Sequence, residues 1–229
     1  MLYTEEAVRA NIRNREGKRV FYLGRGDQLT SGARDYLTRE RIAILPGEQA
    51  KPERLRLAGG GWLEEKPEHM THLNGEVLVP KTHPRIAFRG KLDTLEAELI
   101  LSQLAASGMA GQLGEILELA RMLIRCDVLE EPVKPGTLCG LTEEEQRKRS
   151  HFPQDYYGQP HFMPSAGDGA VIARLNRARC AAREAELAAV AAFSDREGNP
   201  TRTDILRALN RMSSMLYILM IQEKSKGRN

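Results

Sequence analysis

Five polar residues near the C-terminus could do chemistry together: Arg179, Arg183 and Glu186, at spacings of four and three, and the adjacent pair Asn210 and Arg211. In a helix those spacings put the first three on one face. Ala182, Leu187 and Val190 beside them predict that this face borders a buried surface. Asn210 and Arg211 stand in LNRMSSMLY, an otherwise apolar run in which an amide and a guanidinium need partners. Two chemistries fit. The arginines either bridge helices or subunits through salt bridges, or they bind an anion, because guanidinium groups grip phosphate oxygens bidentately and stay charged at any working pH.

Two long helices must carry these residues, Gly169 to Phe193 and Thr203 to Glu223. Upstream, Leu92, Leu95, Leu99 and Leu101 open an apolar helical face that runs to about Ser107, with Gly108 where a C-cap glycine belongs. Leu113 to Val128 forms another helix, stopped before Pro132. Thr142, with Glu145 three residues on, starts a short helix through a capping box. Ser150 to Ser165 contains Pro153, Gly158, Pro160 and Pro164 and reads as a loop rich in aromatics and histidine. Before residue 61 the texture differs. Thr4 caps a short helix with Glu5 and Glu6 in its first turn, Lys18 to Leu23 alternates like a strand, Leu29 to Arg39 reads as a helix, and Arg41 to Leu45 reads as a strand ending at Pro46. Gly47 to Lys66, with its prolines, charges and Gly59, Gly60 and Gly61, reads as a linker. The expected fold is mainly α: a helical bundle over 62–229 behind a small N-terminal α/β unit and linker over 1–61.

Composition narrows the function classes. The 229 residues are 41% hydrophobic and 28% charged, the range of a globular chain rather than a disordered one, and 5% aromatic. With 34 basic and 31 acidic residues interspersed, a net charge of +3 predicts no nucleic-acid partner but leaves room for a local anionic ligand. The longest apolar runs, Leu187 to Phe193 and Met215 to Ile221, fall far short of the roughly 20 residues that cross a bilayer. The charged N-terminus resembles no secretory signal, and Cys126, Cys139 and Cys180 form no CxxC pair, so the chain is expected to be cytoplasmic with free thiols.

Three strings together resemble one family. ARCAAREAELAAV, Ala178 to Val190, looks like the ARxxxRRAER helix of ATP:corrinoid adenosyltransferases, and LNRMSSMLY looks like their LNRxSDxLF helix. THLNGEVLVPKTHPRIAFRGKLDTLEAEL, Thr71 to Leu99, resembles the stretch ending in KxDPRxxAYGxxDEL, with Lys81, Pro84, Arg85, Gly90 and Asp93 in register. YTEEAVRANI, LTSGARDYLTRERI, LIRCDVLEEPV and LTEEEQRKRSH further resemble the ethanolamine-utilisation branch, so the likeness covers almost the whole chain.

The resemblance implies a bundle of about five helices, assembled into a homo-oligomer with ATP bound between subunits. It implies that a corrinoid reduced to cobalt(I) attacks the 5′ carbon of ATP and that the triphosphate leaves with Mg²⁺. Cobalt(I) is already a strong nucleophile, so placement and charge neutralisation suffice and no catalytic triad is required. Thr71 and Lys81 are then expected at the nucleotide, with Lys81, Arg183 and Arg211 on the phosphates. Glu186 and Asn210 would orient the nucleotide or its Mg²⁺, and Asp93 and Arg179 would pair across subunits beside ATP. His161 or Phe162, in HFMP, would occupy the corrinoid's lower face, where displacing the lower ligand makes cobalt easier to reduce. A reductase and a bacterial microcompartment are the implied associations.

Three departures from the family are visible. Its Gly-Asp-x-Gly phosphate loop is replaced by Lys66, Pro67, Glu68, His69 and Met70, and Ser214 stands where much of the family has aspartate. The histidine and Cys-Cys-x-x-Cys cluster of some ethanolamine-type members has no counterpart in PGEQAKPERLRLAGGGWLEEK, so no resident metal is expected. His69 and His72 have metal-compatible spacing but no evident third ligand. Two other readings stay open, a non-catalytic corrinoid- or nucleotide-binding carrier and a structural bundle whose arginines bridge subunits.

Overall fold

The structure is a computed structural model that describes residues 2–15, 18–24, 26–47, 55–75 and 77–226. The chain forms two compact units, Met1–Arg56 with Gly60–Lys66, and Leu57–Gly59 with Pro67–Asn229.

In the first unit β1 (Leu2–Tyr3) leads into α1 (Glu5–Ala10), whose N-cap Thr4 accepts a hydrogen bond from the Ala7 amide. There follow β2 (Arg13–Arg15), β3 (Lys18–Gly24), β4 (Gln28–Leu29), α2 (Ser31–Arg39) and β5 (Ala43–Gly47). β3 lies between antiparallel β2 and parallel β5, while β1 pairs with β4. Val8, Phe21, Ala33, Tyr36 and Leu37 form its core. Leu29 belongs to β4, and Thr30 is the cap of α2, so that helix starts later than its periodicity suggests. Pro46 does not end β5: it pairs with Leu23, which an edge strand tolerates because its outer side needs no donor. One residue on, Gly47 faces Gly24 so closely that a Cβ on Gly47 would lie 2.9 Å from the Gly24 backbone. The segment expected to be a bare linker contains β6 (Leu55–Leu57) and β7 (Trp62–Leu63), an antiparallel hairpin; residues 48–54 of it lie outside the described residues.

The second unit opens with the hairpin β8 (Met70–Asn74) and β9 (Val77–Pro80). α3 (Pro84–Ala105) then begins one turn beyond the hairpin, eight residues before the leucine periodicity, because Pro84 suits a first helical position and His83 Nδ1 accepts from the Arg85 amide. Leu92, Leu95 and Leu99 are buried, but Leu101 is exposed, and the C-cap is Ala106; Gly108 lies inside the 3-10 turn Ser107–Met109. α4 (Ala110–Val128) follows, then α5 (Glu143–His151) with the expected Thr142–Glu145 capping box. The loop after it contains the helix α6 (Pro153–Tyr157), ended by Gly158 at φ 63°. α7 (Gly169–Ala192) and α8 (Thr203–Lys226) complete the bundle. Lys91 pairs with Glu184, Glu98 with Arg177, and Ser102 Oγ donates to the Arg174 carbonyl, so α3 and α7 run antiparallel. α3, α4, α7 and α8 share one core. Among the described residues no helix is long and apolar enough to cross a membrane.

Because Leu95 is fully buried in that core, Leu95→Ala is expected to lower unfolding stability by about 2–5 kcal/mol in urea denaturation. A loss under about 0.5 kcal/mol, the range of a surface change, would contradict the packing of α3.

Candidate functional site

α7 presents its alanines to the core: Ala178, Ala181, Ala182, Ala185 and Ala189 are buried. Arg179, Arg183 and Glu186 therefore fall off the packed stripe. The neighbours Leu187 and Val190, expected to be buried, are 71% and 43% exposed, so the charged residues border an open apolar surface instead. The alanines, one position to either side, are what the core takes.

Charge pairing separates two classes of arginine. Arg177 is matched by Glu98 and Glu184, Arg121 by Glu96 and Glu118, and Arg202 by Asp204. In contrast, Arg211 donates to Asn210 Oδ1 at 2.7 Å, and Arg179 donates twice to Asn176 Oδ1, so each is bonded to a neutral amide. Arg183 and Lys81 are exposed and have no carboxylate partner among the described residues. Glu184, next to Arg183, is committed to Lys91 and Arg177. The amide of Asn210 donates to Glu186 Oε1 at 3.1 Å, which links Glu186, Asn210 and Arg211 across α7 and α8. Burial, with the repulsion of Arg147, pulls the Arg211 pKa down, so an added anion would be welcome there.

A second group gathers on Tyr217, a residue the string LNRMSSMLY contains but whose role only the fold reveals. Its hydroxyl lies 2.9 Å from His161 Nδ1, and His161 Nε2 lies 3.1 Å from the His151 carbonyl oxygen. The His161 and Phe162 rings both stack on Tyr217, at 5.8 and 6.4 Å between centroids, and the Arg179 guanidinium sits 6.0 Å from the same ring. His161, Arg179, Ser213, Ser214 and Tyr217 line a cleft of about 310 Å³. Ser214 Oγ donates to the Asn210 carbonyl, so it is a helix-bound hydroxyl rather than a free acid. The loop is anchored from behind: Lys224 pairs with Asp168, whose carboxylate also accepts from the Ser165 amide and hydroxyl, and the Lys224 ammonium lies over the Phe162 ring at 5.6 Å.

Thr71 and Lys81 are on the hairpin side. Thr71 pairs with Val79, and the Lys81 amide donates to the His69 carbonyl at 2.8 Å, placing the lysine at the end of β9 just before α3. Arg85, in register with the family motif, has a structural duty. Arg85 Nε and Arg89 Nε donate to the two oxygens of Asp127, at 2.7 and 2.6 Å, and Asp127 is fully buried. Arg85 also reaches the Asp127 carbonyl, and Arg89 the Leu73 and His72 carbonyls. The sequence reading missed Asp127, which looks like any polar residue on an amphipathic helix until two arginines from about 40 residues away arrive. Asp93 is exposed on α3, and within one chain Arg179 is engaged with Asn176 and Tyr217 rather than with Asp93.

Two of the three thiols are poor nucleophiles: burial and the Glu115 carboxylate push Cys139 up to about 12, and burial raises Cys126 as well, while Cys180 lies half-buried on α7 beside Arg179. His69 and His72 are exposed, and among the described residues no group of three or more His, Cys, Asp or Glu side chains could hold a metal ion.

A family model described as cobalamin adenosyltransferase matches residues 63–223. A corrinoid adenosyltransferase EutT of Escherichia coli strain K12 is 31% identical to this chain over 97% of it and 92% of the relative. The protein of the same name from Salmonella typhimurium strain LT2 is 30% identical over the same shares. Among solved structures, an arginine-to-lysine variant of a PduO-type ATP:co(I)rrinoid adenosyltransferase from Lactobacillus reuteri, complexed with ATP, is 18% identical, with a TM-score of 0.48 over 67% of this chain and 87% of that one.

The anchor behind His161 gives a pH prediction. Hydrogen bonds from Lys224 and Ser165 lower the Asp168 pKa from its ordinary 3.8 to about 2, so the stability this carboxylate contributes is complete above 3.8 and lost as pH falls toward 2. Lys224→Met removes the largest of those causes. In denaturant titrations at several pH values the wild type should be more stable than the variant above pH 3.8, with the gap closing toward pH 2. A gap independent of pH would contradict the pairing.

Proposed function

This chain belongs to the cobalamin adenosyltransferase family, and on that premise we propose that it transfers the 5′-deoxyadenosyl group of ATP to a corrinoid reduced to cobalt(I). The cobalt(I) electron pair forms the bond to the 5′ carbon, the carbon–oxygen bond breaks, and its electrons leave with the triphosphate; the products are adenosylcobalamin and triphosphate. The bundle domain, 62–229, carries the reaction.

The observation that carries this reading is that the four cations in the family strings, Lys81, Arg179, Arg183 and Arg211, have no carboxylate partner among the described residues, whereas Arg121, Arg177 and Arg202 are each matched by acids. Arg125, Arg147 and Arg174 are unmatched as well, so it is the strings together with the missing partners that single out the four. A leaving triphosphate supplies the missing negative charge, and stabilising charge as it develops is the largest single contribution a protein makes to such a step. Lys81 and Arg183 hold phosphate oxygens, Arg211 adds its field, and Thr71 faces the nucleotide. Glu186 fits a divalent cation: Oε1 accepts from Asn210, and the second carboxylate oxygen has no partner among the described residues. Mg²⁺, which favours carboxylate and phosphate oxygens, neutralises part of the leaving charge when bound. At the corrinoid, His161 has both ring nitrogens engaged by Tyr217 and the His151 carbonyl, so with Phe162 it offers ring surface rather than a ligand nitrogen to the lower face. Displacing the lower ligand in this way eases reduction to cobalt(I).

The site is completed between subunits of a homo-oligomer, where Asp93 of one copy meets Arg179 of another. Exposed Leu104, Leu187 and Val190 on α3 and α7 support such a contact. The resemblance to the ethanolamine-utilisation branch supports a cytoplasmic place at a bacterial microcompartment, with a separate reductase supplying cobalt(I).

Anaerobic incubation with ATP and chemically reduced cobalamin tests the reaction: the cobalt(I) spectrum should disappear with release of one triphosphate per corrinoid. Arg183→Ala should lower turnover at least tenfold, since a charge-assisted hydrogen bond is worth about 1.5–3 kcal/mol. Arg183→Lys should recover part of it, because a point charge cannot reproduce the fork. Wild-type kinetics in both variants would remove the phosphate role. Asp93→Asn should weaken assembly and ATP binding together, by roughly 3–5 kcal/mol if the pair is largely buried, against about 0.5 kcal/mol for a surface aspartate. Sedimentation and ATP titration of the same variant decide between them.

A further inference from the structure

Among the described residues of the second unit, Asp127 is the one carboxylate that is fully buried, and it is held by two arginines rather than one. Its Oδ1 takes Arg85 Nε and its Oδ2 takes Arg89 Nε, so both carboxylate oxygens are used by guanidinium groups. Arg85 Nη1 also reaches the exposed carboxylate of Glu130 at 3.3 Å, and the remaining arms go to main-chain carbonyls. Arg85 Nη2 binds the Asp127 carbonyl at 2.7 Å, which fixes the guanidinium to the last turn of α4, and Arg89 binds the carbonyls of Leu73 and His72 on β8. One buried charge therefore ties together the end of α4, the first two turns of α3 and the strand β8.

The segments it ties are those that flank Lys81. Thr71 is next to His72 on β8, the Lys81 amide bonds to His69 at the head of that strand, and Lys81 stands one turn before Arg85. His83 Nδ1, between them, accepts from the Arg85 amide and closes the start of α3. Lys81 is exposed and its ammonium makes no hydrogen bond among the described residues, so its side chain contributes nothing to its own placement. The main chain must do it. Burying an ion pair is a poor way to gain stability, because desolvation offsets most of the attraction; well-packed apolar residues do as well or better. What the clamp supplies is direction, since each guanidinium spans a carboxylate and a carbonyl at fixed angles.

We propose that Asp127 is a positioning residue for the leaving triphosphate: through Arg85 and Arg89 it sets the junction between the hairpin and α3, and so places Lys81 and Thr71 on the phosphates. This rests on the adenosyltransferase reading above. It assigns to a buried charge the alignment that this chain, with Pro67, Glu68 and His69 ahead of the hairpin, does not obtain from a glycine-rich loop.

The test separates substrate placement from general stability. Steady-state kinetics with ATP and cob(I)alamin are measured for the full-length wild type, Asp127→Asn, Arg89→Lys and the surface control Arg121→Ala, beside calorimetric titration with inorganic tripolyphosphate and thermal melting. Asp127→Asn should raise the KM for ATP and the Kd for tripolyphosphate by about tenfold and lower kcat as well, because Lys81 is then misplaced on the developing charge, while the KM for cob(I)alamin changes by less than about threefold. Arg89→Lys keeps the charge but cannot span carboxylate and carbonyls, so it should shift the same two quantities in the same direction, and it decides the matter if Asp127→Asn does not fold. Arg121→Ala should change neither. A lowered melting temperature in Asp127→Asn or Arg89→Lys with unchanged tripolyphosphate affinity and unchanged KM for ATP would overturn the positioning role. A wild type that binds tripolyphosphate but never consumes cobalt(I) would overturn the functional reading, and the clamp would then stand or fall on the tripolyphosphate affinities alone.

Discussion

The alanine stripe of α7 is the constraint on which the second unit depends. Ala178, Ala181, Ala182, Ala185 and Ala189 are all buried, and the helix packs against both α3 and α8 through them. A methyl group loses no rotamer freedom on burial, and it lets two helices approach closely enough for long side chains to reach across. The volume these alanines do not fill is taken by the neighbours: Leu92, Leu95 and Leu99 from α3, and Leu209, Met212, Met215 and Leu216 from α8. Every charged residue of interest on α7 is placed by exclusion from that stripe. The Asn210–Glu186 hydrogen bond across the helix pair is a consequence of the same close approach.

Around this core the protein distributes charge unevenly. Most interhelical arginines are neutralised locally, and the buried Asp127 satisfies two at once. The residues facing the candidate site are bonded to amides or left in solvent, so their charge is not cancelled within the chain. Such an arrangement costs little while the side chains are hydrated, and it would become favourable with a polyanion bound as proposed above. Burial holds the Cys139 pKa high, which leaves that thiol out of the chemistry.

The Tyr217 cluster shows how a loop can be made part of a rigid site. Residues 161–165 have no regular structure, yet His161 is held from two sides, Phe162 lies between Tyr217 and Lys224, and Asp168 anchors the turn that leads into α7. A ring that stacks on a helical tyrosine and gives both nitrogens to protein partners keeps its orientation without belonging to a helix itself.

Much of this was legible in the sequence wherever the cause is local. The Thr4 and Thr142 caps depend on side chains within three residues, and the long helices α7 and α8 follow from periodicity over many turns. The strings around Arg179, Asn210 and Lys81 were enough to name a family, because family motifs are linear. What was not legible depends on partners far along the chain. The first two turns of α3 carry no leucine periodicity because Arg85 and Arg89 face Asp127 rather than an apolar neighbour. Leu187 and Val190 read as core by composition, and only the packing of α7 through its alanines leaves them outside. Short strands such as β6 and β7 exist through their pairing and have too few residues to show a period of their own. Residue types and spacing determined which groups could bind a polyanion; the tertiary structure decided which of them are already neutralised, since a charge pair between helices is set by three-dimensional distance and not by sequence separation.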